Sequence, residues 1–127
     1  MSIRKVYNAL CIVQGLYTLL TALWALIHID SFIRVTGPKT DIWLVKTVAA
    51  ILLSIAICFL YGPFVKRDHF LVIVVGITSS AALASIDFYY TGNNTINKIY
   101  QADGYLQVLF FLLWFYLLMH VRILKRK

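Results

Sequence analysis

Apolar residues in this chain fall into four long runs, separated by short polar stretches. The runs cover residues 6–29, 42–61, 70–90 and 105–121. A helix needs roughly 20 apolar residues to cross a bilayer's hydrocarbon core, and each run is near that length. The first contains no charged residue. The second is interrupted only by Lys46 and the third only by Asp87. The fourth has an alternative start near residue 95. There Thr95 would cap a helix that places Ile96, Ile99, Tyr100, Asp103, Gln107 and Phe110 at helical spacing, with Asp103 on the helix rather than before it.

The connections are short. Residues 30–41 contain the Gly37-Pro38 stop followed by the cap-like Thr40-Asp41, and residues 62–69 open on Gly62-Pro63. Short connections make successive helices antiparallel neighbours. The pattern therefore predicts an all-α fold over residues 1–127: a single four-helix transmembrane bundle running up-down-up-down.

Polar and small residues mark the inward faces of such helices, because lipid tails are as apolar as leucine. In the first span Cys11, Gln14, Thr18, Thr21, Ala25 and His28 recur at steps of three and four. In the third span Gly76, Ser80 and Ala84 lead to Asp87, a spacing that lets another helix approach closely. The second span offers Lys46, Ala50, Ser54 and Cys58, with the reservation that such hydroxyls also bond their own backbone. The fourth is aromatic, with Phe110, Phe111, Trp114, Phe115 and Tyr116 read as packing and lipid-facing bulk.

Composition agrees with lipid as the main solvent. The chain is 61% hydrophobic over 127 residues, against roughly 45–50% for a soluble domain, and its mean hydropathy is +0.82. The formal charge of +7 comes from twelve Lys and Arg against five Asp. Nucleic acid is excluded as a partner by distribution, because the cations gather at the ends of apolar runs. Arg4, Lys5, Lys66, Arg67, Arg122, Lys125, Arg126 and Lys127 fall on one side of the predicted bundle, while Arg34, Lys39 and Lys98 fall on the other. The positive-inside rule then puts both termini in the cytoplasm. The first run is about twice the usual core of a signal peptide and lacks a clean cleavage site, so it reads as a retained anchor.

Little in the sequence points to a reaction. Cys11 and Cys58 lie within apolar runs, which leaves neither a disulfide framework nor a redox pair. No second histidine accompanies His28 at ligand spacing, so no metal and no cofactor are expected. The sequon Asn93-Asn94-Thr95 carries no expected role, and phosphate-loop and nucleophile-elbow motifs are absent.

The intramembrane charges remain. Charge at membrane depth is costly, which makes such residues functional candidates. Lys46 and Asp87 each fall about one helical turn, roughly 6 Å, inside the outer surface, and an ion pair between them would lower the cost of both. His28, Asp41, Asp103 and Gln107 belong to the same level.

The segments Thr36-Gly37-Pro38-Lys39-Thr40-Asp41-Ile42-Trp43-Leu44-Val45-Lys46-Thr47 and Ile86-Asp87-Phe88-Tyr89 resemble stretches of small uncharacterised four-span bacterial membrane proteins. A looser likeness to DoxX-like proteins extends to the fold only. The resemblance implies a four-helix fold in a bacterial inner membrane and supplies no activity. Small multidrug exporters share the size but rely on a glutamate in the first span, and this chain has no glutamate.

Three functional readings follow. The first is an outward-facing polar pocket for a small molecule, lipid or ion, built from Lys46, Asp87, Asp103, Gln107, His28 and Asp41. The second is a structural or accessory subunit, with Lys46–Asp87 as an interhelical clamp and small-residue faces docking another chain or a second copy. The third is a small membrane enzyme using Asp87 or Asp103 as acid or base. The absence of a catalytic motif leans away from an enzyme without deciding it, and any catalytic residue stays unassigned.

Overall fold

The structure, a computed structural model, describes residues 2–125, with nothing described of the Lys125 side chain. Arg126 and Lys127 of the basic tail lie outside the described residues. Those described form helices α1 (Ile3–Ile27), α2 (Ile29–Thr36), α3 (Ile42–Tyr61), α4 (His69–Gly92), α5 (Ile99–Met119) and α6 (Val121–Lys125), with one 3-10 turn, Gly62–Phe64, and no strand. Helices α1, α3, α4 and α5 are long and apolar enough to cross a membrane.

Helix α1 starts where Ser2 accepts a hydrogen bond from the Lys5 amide at 3.3 Å, and it ends at His28. Residue 28 is the hinge to a helix that the apolar pattern does not announce. Its Nδ1 accepts from the Ser31 amide at 3.3 Å and so caps α2. Within α2, Phe32 and Thr36 are buried while Asp30 and Arg34 flank the other face. The Trp24 indole donates to Ser31 Oγ at 2.7 Å and meets Phe32 edge to face, which folds α2 back onto α1. Gly37 then stops the helix at φ 100°, a conformation that costs a side chain-bearing residue heavily.

The helix ends correct two expectations. Asp41 precedes α3 without making a side-chain cap bond. Thr95 caps nothing, since α5 begins at Ile99, whose amide is accepted by Asn97 Oδ1 at 3.0 Å. Asp103 lies on α5, one turn in.

Packing runs chiefly between α1 and α3 and between α4 and α5, while α3 and α4, joined by the short 62–68 connection, barely touch. Successive spans therefore pack as neighbours across the first and third connections but not across the second. Gly15 of α1 sits so close to α3 that a Cβ there would meet Leu60 at 2.8 Å. Gly76 of α4 faces Trp114 of α5, where a Cβ would fall inside the indole ring. The inward face of α3 is Ala49, Ala56 and Phe59. Lys46, Ala50 and Ser54 point outward instead, and Ser54 Oγ bonds the Ala50 carbonyl at 3.3 Å. On α1, by contrast, Cys11, Gln14, Thr18 and Ala25 are buried, as are Gly76, Ser80, Ala84 and Asp87 on α4.

The main core gathers around Trp114, which stacks on Phe59 with centroids 5.6 Å apart and meets Tyr7 edge to face at 6.2 Å. A buried polar layer crosses this core. Trp114 Nε1 donates to Gln14 Oε1 at 2.5 Å, and Gln14 Nε2 donates to Ser80 Oγ at 3.1 Å. The layer fixes α1, α4 and α5 in register, and both ends of the Gln14 amide have a partner. Toward the starts of α1 and α4, Tyr7 donates to the Gly62 carbonyl at 3.1 Å and Arg4 bonds His69 at 2.9 Å. A smaller cluster of Ala25, Phe32 and Ala49 holds α1, α2 and α3 together at the opposite end.

Candidate functional site

Because α3 and α4 stay apart, a space opens between the two helix pairs at the end where α3 begins and α4 finishes. This cavity has a volume of about 670 Å³, within the roughly 300–1,000 Å³ range of small-molecule sites. Its floor and walls are apolar, formed by Ala22, Ala25 and Phe32 on one side, by Val45, Val48, Ala49 and Leu52 along α3, and by Leu83 and Ile86 on α4. Its polar groups come from Lys39, Thr40 and Asp41 in the α2–α3 connection, from Thr95 after α4, and from Asp87, Tyr100 and Asp103.

Asp87 is the unusual member. Its side chain is 4% exposed, and Oδ2 has no hydrogen-bond partner. A buried polar atom left unpaired costs about 1–3 kcal/mol, and more when charged. Its carboxyl group lies within hydrogen-bonding reach of that of Asp103, and a proton held between the two would join them. Asp103, in turn, is held in place: Tyr17 of α1 donates to its Oδ1 at 2.5 Å, and Gln107 Nε2 donates to the same atom at 3.3 Å. Gln107 is 2% exposed and its Oε1 is also without a partner. The neighbourhood thus has acceptors in excess of donors. Asn8 Oδ1 and His69 Nδ1 are unpartnered as well, but neither borders this cavity.

The six residues singled out by the sequence separate. Asp87, Asp103 and Asp41 line the cavity, with Asp41 exposed at its rim, and Gln107 supports Asp103 from behind. Lys46 does not join them. It is exposed on another face of α3, it does not line the cavity, and among the described residues no ion pair links it to Asp87. An exposed lysine stem reaches out along the helix surface instead of inward. His28 is also exposed and is engaged in capping α2.

The cation at this cavity is Lys39. Its Nζ donates to the carbonyls of Thr36 at 3.3 Å and Gly37 at 3.2 Å and lies over the Tyr100 ring, 5.3 Å from its centroid. Sequence reasoning placed Lys39 only as a loop charge, because its position depends on the Gly37 turn. Tyr17 was also missed. It lies one step of three from Gln14 on α1, and its polar tip was the available signal. Among the described residues, no three His, Cys, Asp or Glu side chains converge as a metal-binding group.

No family model, no curated protein and no solved structure matches this chain. What the site can do therefore rests on its own geometry. An apolar chamber of this volume, with carboxyl groups at one end, is suited to hold a molecule with an apolar body and a donor-bearing polar head.

Proposed function

We propose that the protein is an integral membrane protein of a bacterial inner membrane that binds a small molecule or lipid in the cavity between its two helix pairs. In this reading the bundle runs up-down-up-down with both termini in the cytoplasm, and the cavity faces the extracytoplasmic side. The orientation is supported by the cations at one end, Arg4, Lys5, Lys66, Arg67 and Arg122, against the three at the other, Arg34, Lys39 and Lys98. The binding reading is carried by Asp87, a deeply buried carboxyl group that borders a cavity and has an oxygen without a partner. An apolar pocket with a few convergent polar groups is the usual form of a ligand site, and intramembrane ionisable residues commonly mark one.

One observation favours a second reading, in which the chain is an accessory subunit. Helix α3 is the least buried of the four long helices, and its outward stripe of Ala50 and Ser54 is small enough to let another helix approach.

Native mass spectrometry of the protein released from membranes separates the two. The binding reading expects one small-molecule or lipid adduct per chain, lost when Val48→Trp fills the cavity rim. A chain that carries no adduct but releases a second protein in fixed ratio would replace it with the subunit reading.

A further inference from the structure

Granting the cavity as a binding site, its polar end has a chemical preference, and we infer that it takes amphiphiles with a cationic, hydrogen-bond-donating head such as a primary ammonium. Three carboxyl groups, those of Asp41, Asp87 and Asp103, border the cavity, while Lys39 supplies its single ammonium. That ammonium is already engaged with the Thr36 and Gly37 carbonyls and the Tyr100 ring, which leaves the carboxyl pair of Asp87 and Asp103 without a cationic partner among the described residues.

The adjoining carboxyl groups of Asp87 and Asp103 are the point of recognition, since both residues border the polar end of the apolar chamber. An ammonium brought to them would gain both charge attraction and a charge-assisted hydrogen bond, the stronger class of such bonds. The attraction is enhanced in a surrounding of low dielectric constant. An anionic head would meet three carboxyl groups, and a neutral alcohol would gain the hydrogen bond without the charge. Tyr17 and Gln107 hold Asp103 through its Oδ1, which fixes this carboxyl group beside Asp87 with one oxygen already engaged. The apolar walls of Val45, Val48 and Leu52 receive the ligand's chain, and because α3 and α4 barely touch, entry from the lipid layer is open.

The test is isothermal titration of the protein in lipid nanodiscs with octylammonium, octanol and octanoate, each corrected for partitioning into empty nanodiscs. Octylammonium is expected to bind at least tenfold more tightly than octanol, and octanoate to show no saturable binding. Asp87→Asn should bring octylammonium to the level of octanol, while Asp103→Asn should weaken it less. Helical circular dichroism should be unchanged in both variants. Equal binding of octanol and octylammonium, or retention of the preference in Asp87→Asn, would overturn the head-group inference and leave the cavity as a site. Absence of saturable binding by all three probes would overturn the inference together with the binding reading beneath it.

Discussion

The Gln14 layer and the Asp87 layer lie on the same bundle, and each buries polar groups among apolar helices, yet they are finished differently. Around Gln14 each hydrogen-bonding atom of the side chain has a partner, with Trp114 on one side and Ser80 on the other, and the surrounding rings close against it. Around Asp87 the helices part, a cavity remains, and acceptor atoms are left over. A closed polar layer fixes register, because breaking it strands buried donors and acceptors. An open one contributes little to the fold and costs some of it. The difference separates a device for holding helices together from one kept available for something else.

The largest effect should come from breaking the closed layer at its centre. Trp114→Ala removes the ring that stacks on Phe59 and fills the space at Gly76. It should cost about 3–5 kcal/mol, read as a large drop in unfolding midpoint in detergent. Gln14→Leu keeps the volume but strands the Trp114 and Ser80 groups. A loss of about 1–3 kcal/mol is expected, measured by the same unfolding curve. Tyr7→Phe deletes only the bond to the Gly62 carbonyl, and about 1 kcal/mol is the expected loss. The smallest effect belongs to Lys46→Met, since Lys46 is exposed and does not line the cavity. Stability should stay within about 0.5 kcal/mol and octylammonium titration should be unaltered. A loss of binding in that variant would return Lys46 to the site.

Much of the helical framework was visible in the chain itself. The four long helices follow from run length, and the buried stripes of α1 and α4 follow from small and polar residues at helical spacing. In α3 the same rule chose the wrong face. Two sets of small residues interleave there, Ala50 and Ser54 against Ala49 and Ala56, and spacing alone cannot rank them. Burial of Ala49, Ala56 and Phe59 depends on the shape of α1, where Gly15 admits the Leu60 side chain. Helix α2 went unseen because its apolar positions are only Ile29, Phe32, Ile33 and Val35, too few to stand out beside a full span. The cavity was invisible for a related reason. It exists because α3 and α4 are not packed together, although their short connection favours contact. Lys39 replaced Lys46 as the site's cation because the Gly37 turn, a three-dimensional feature, sets its direction.

The contrast between a closed and an open layer reduces to one comparison, the unfolding midpoints of Gln14→Leu and Asp87→Asn in the same detergent and without ligand. Gln14→Leu should lower the midpoint, and Asp87→Asn should leave it unchanged or raise it by the equivalent of about 1 kcal/mol, because the amide can donate to the adjoining Asp103 carboxyl group where two carboxyl groups now meet. If Asp87→Asn destabilises the protein as much as Gln14→Leu does, Asp87 is part of the structural framework and the cavity is not a site kept open for a ligand.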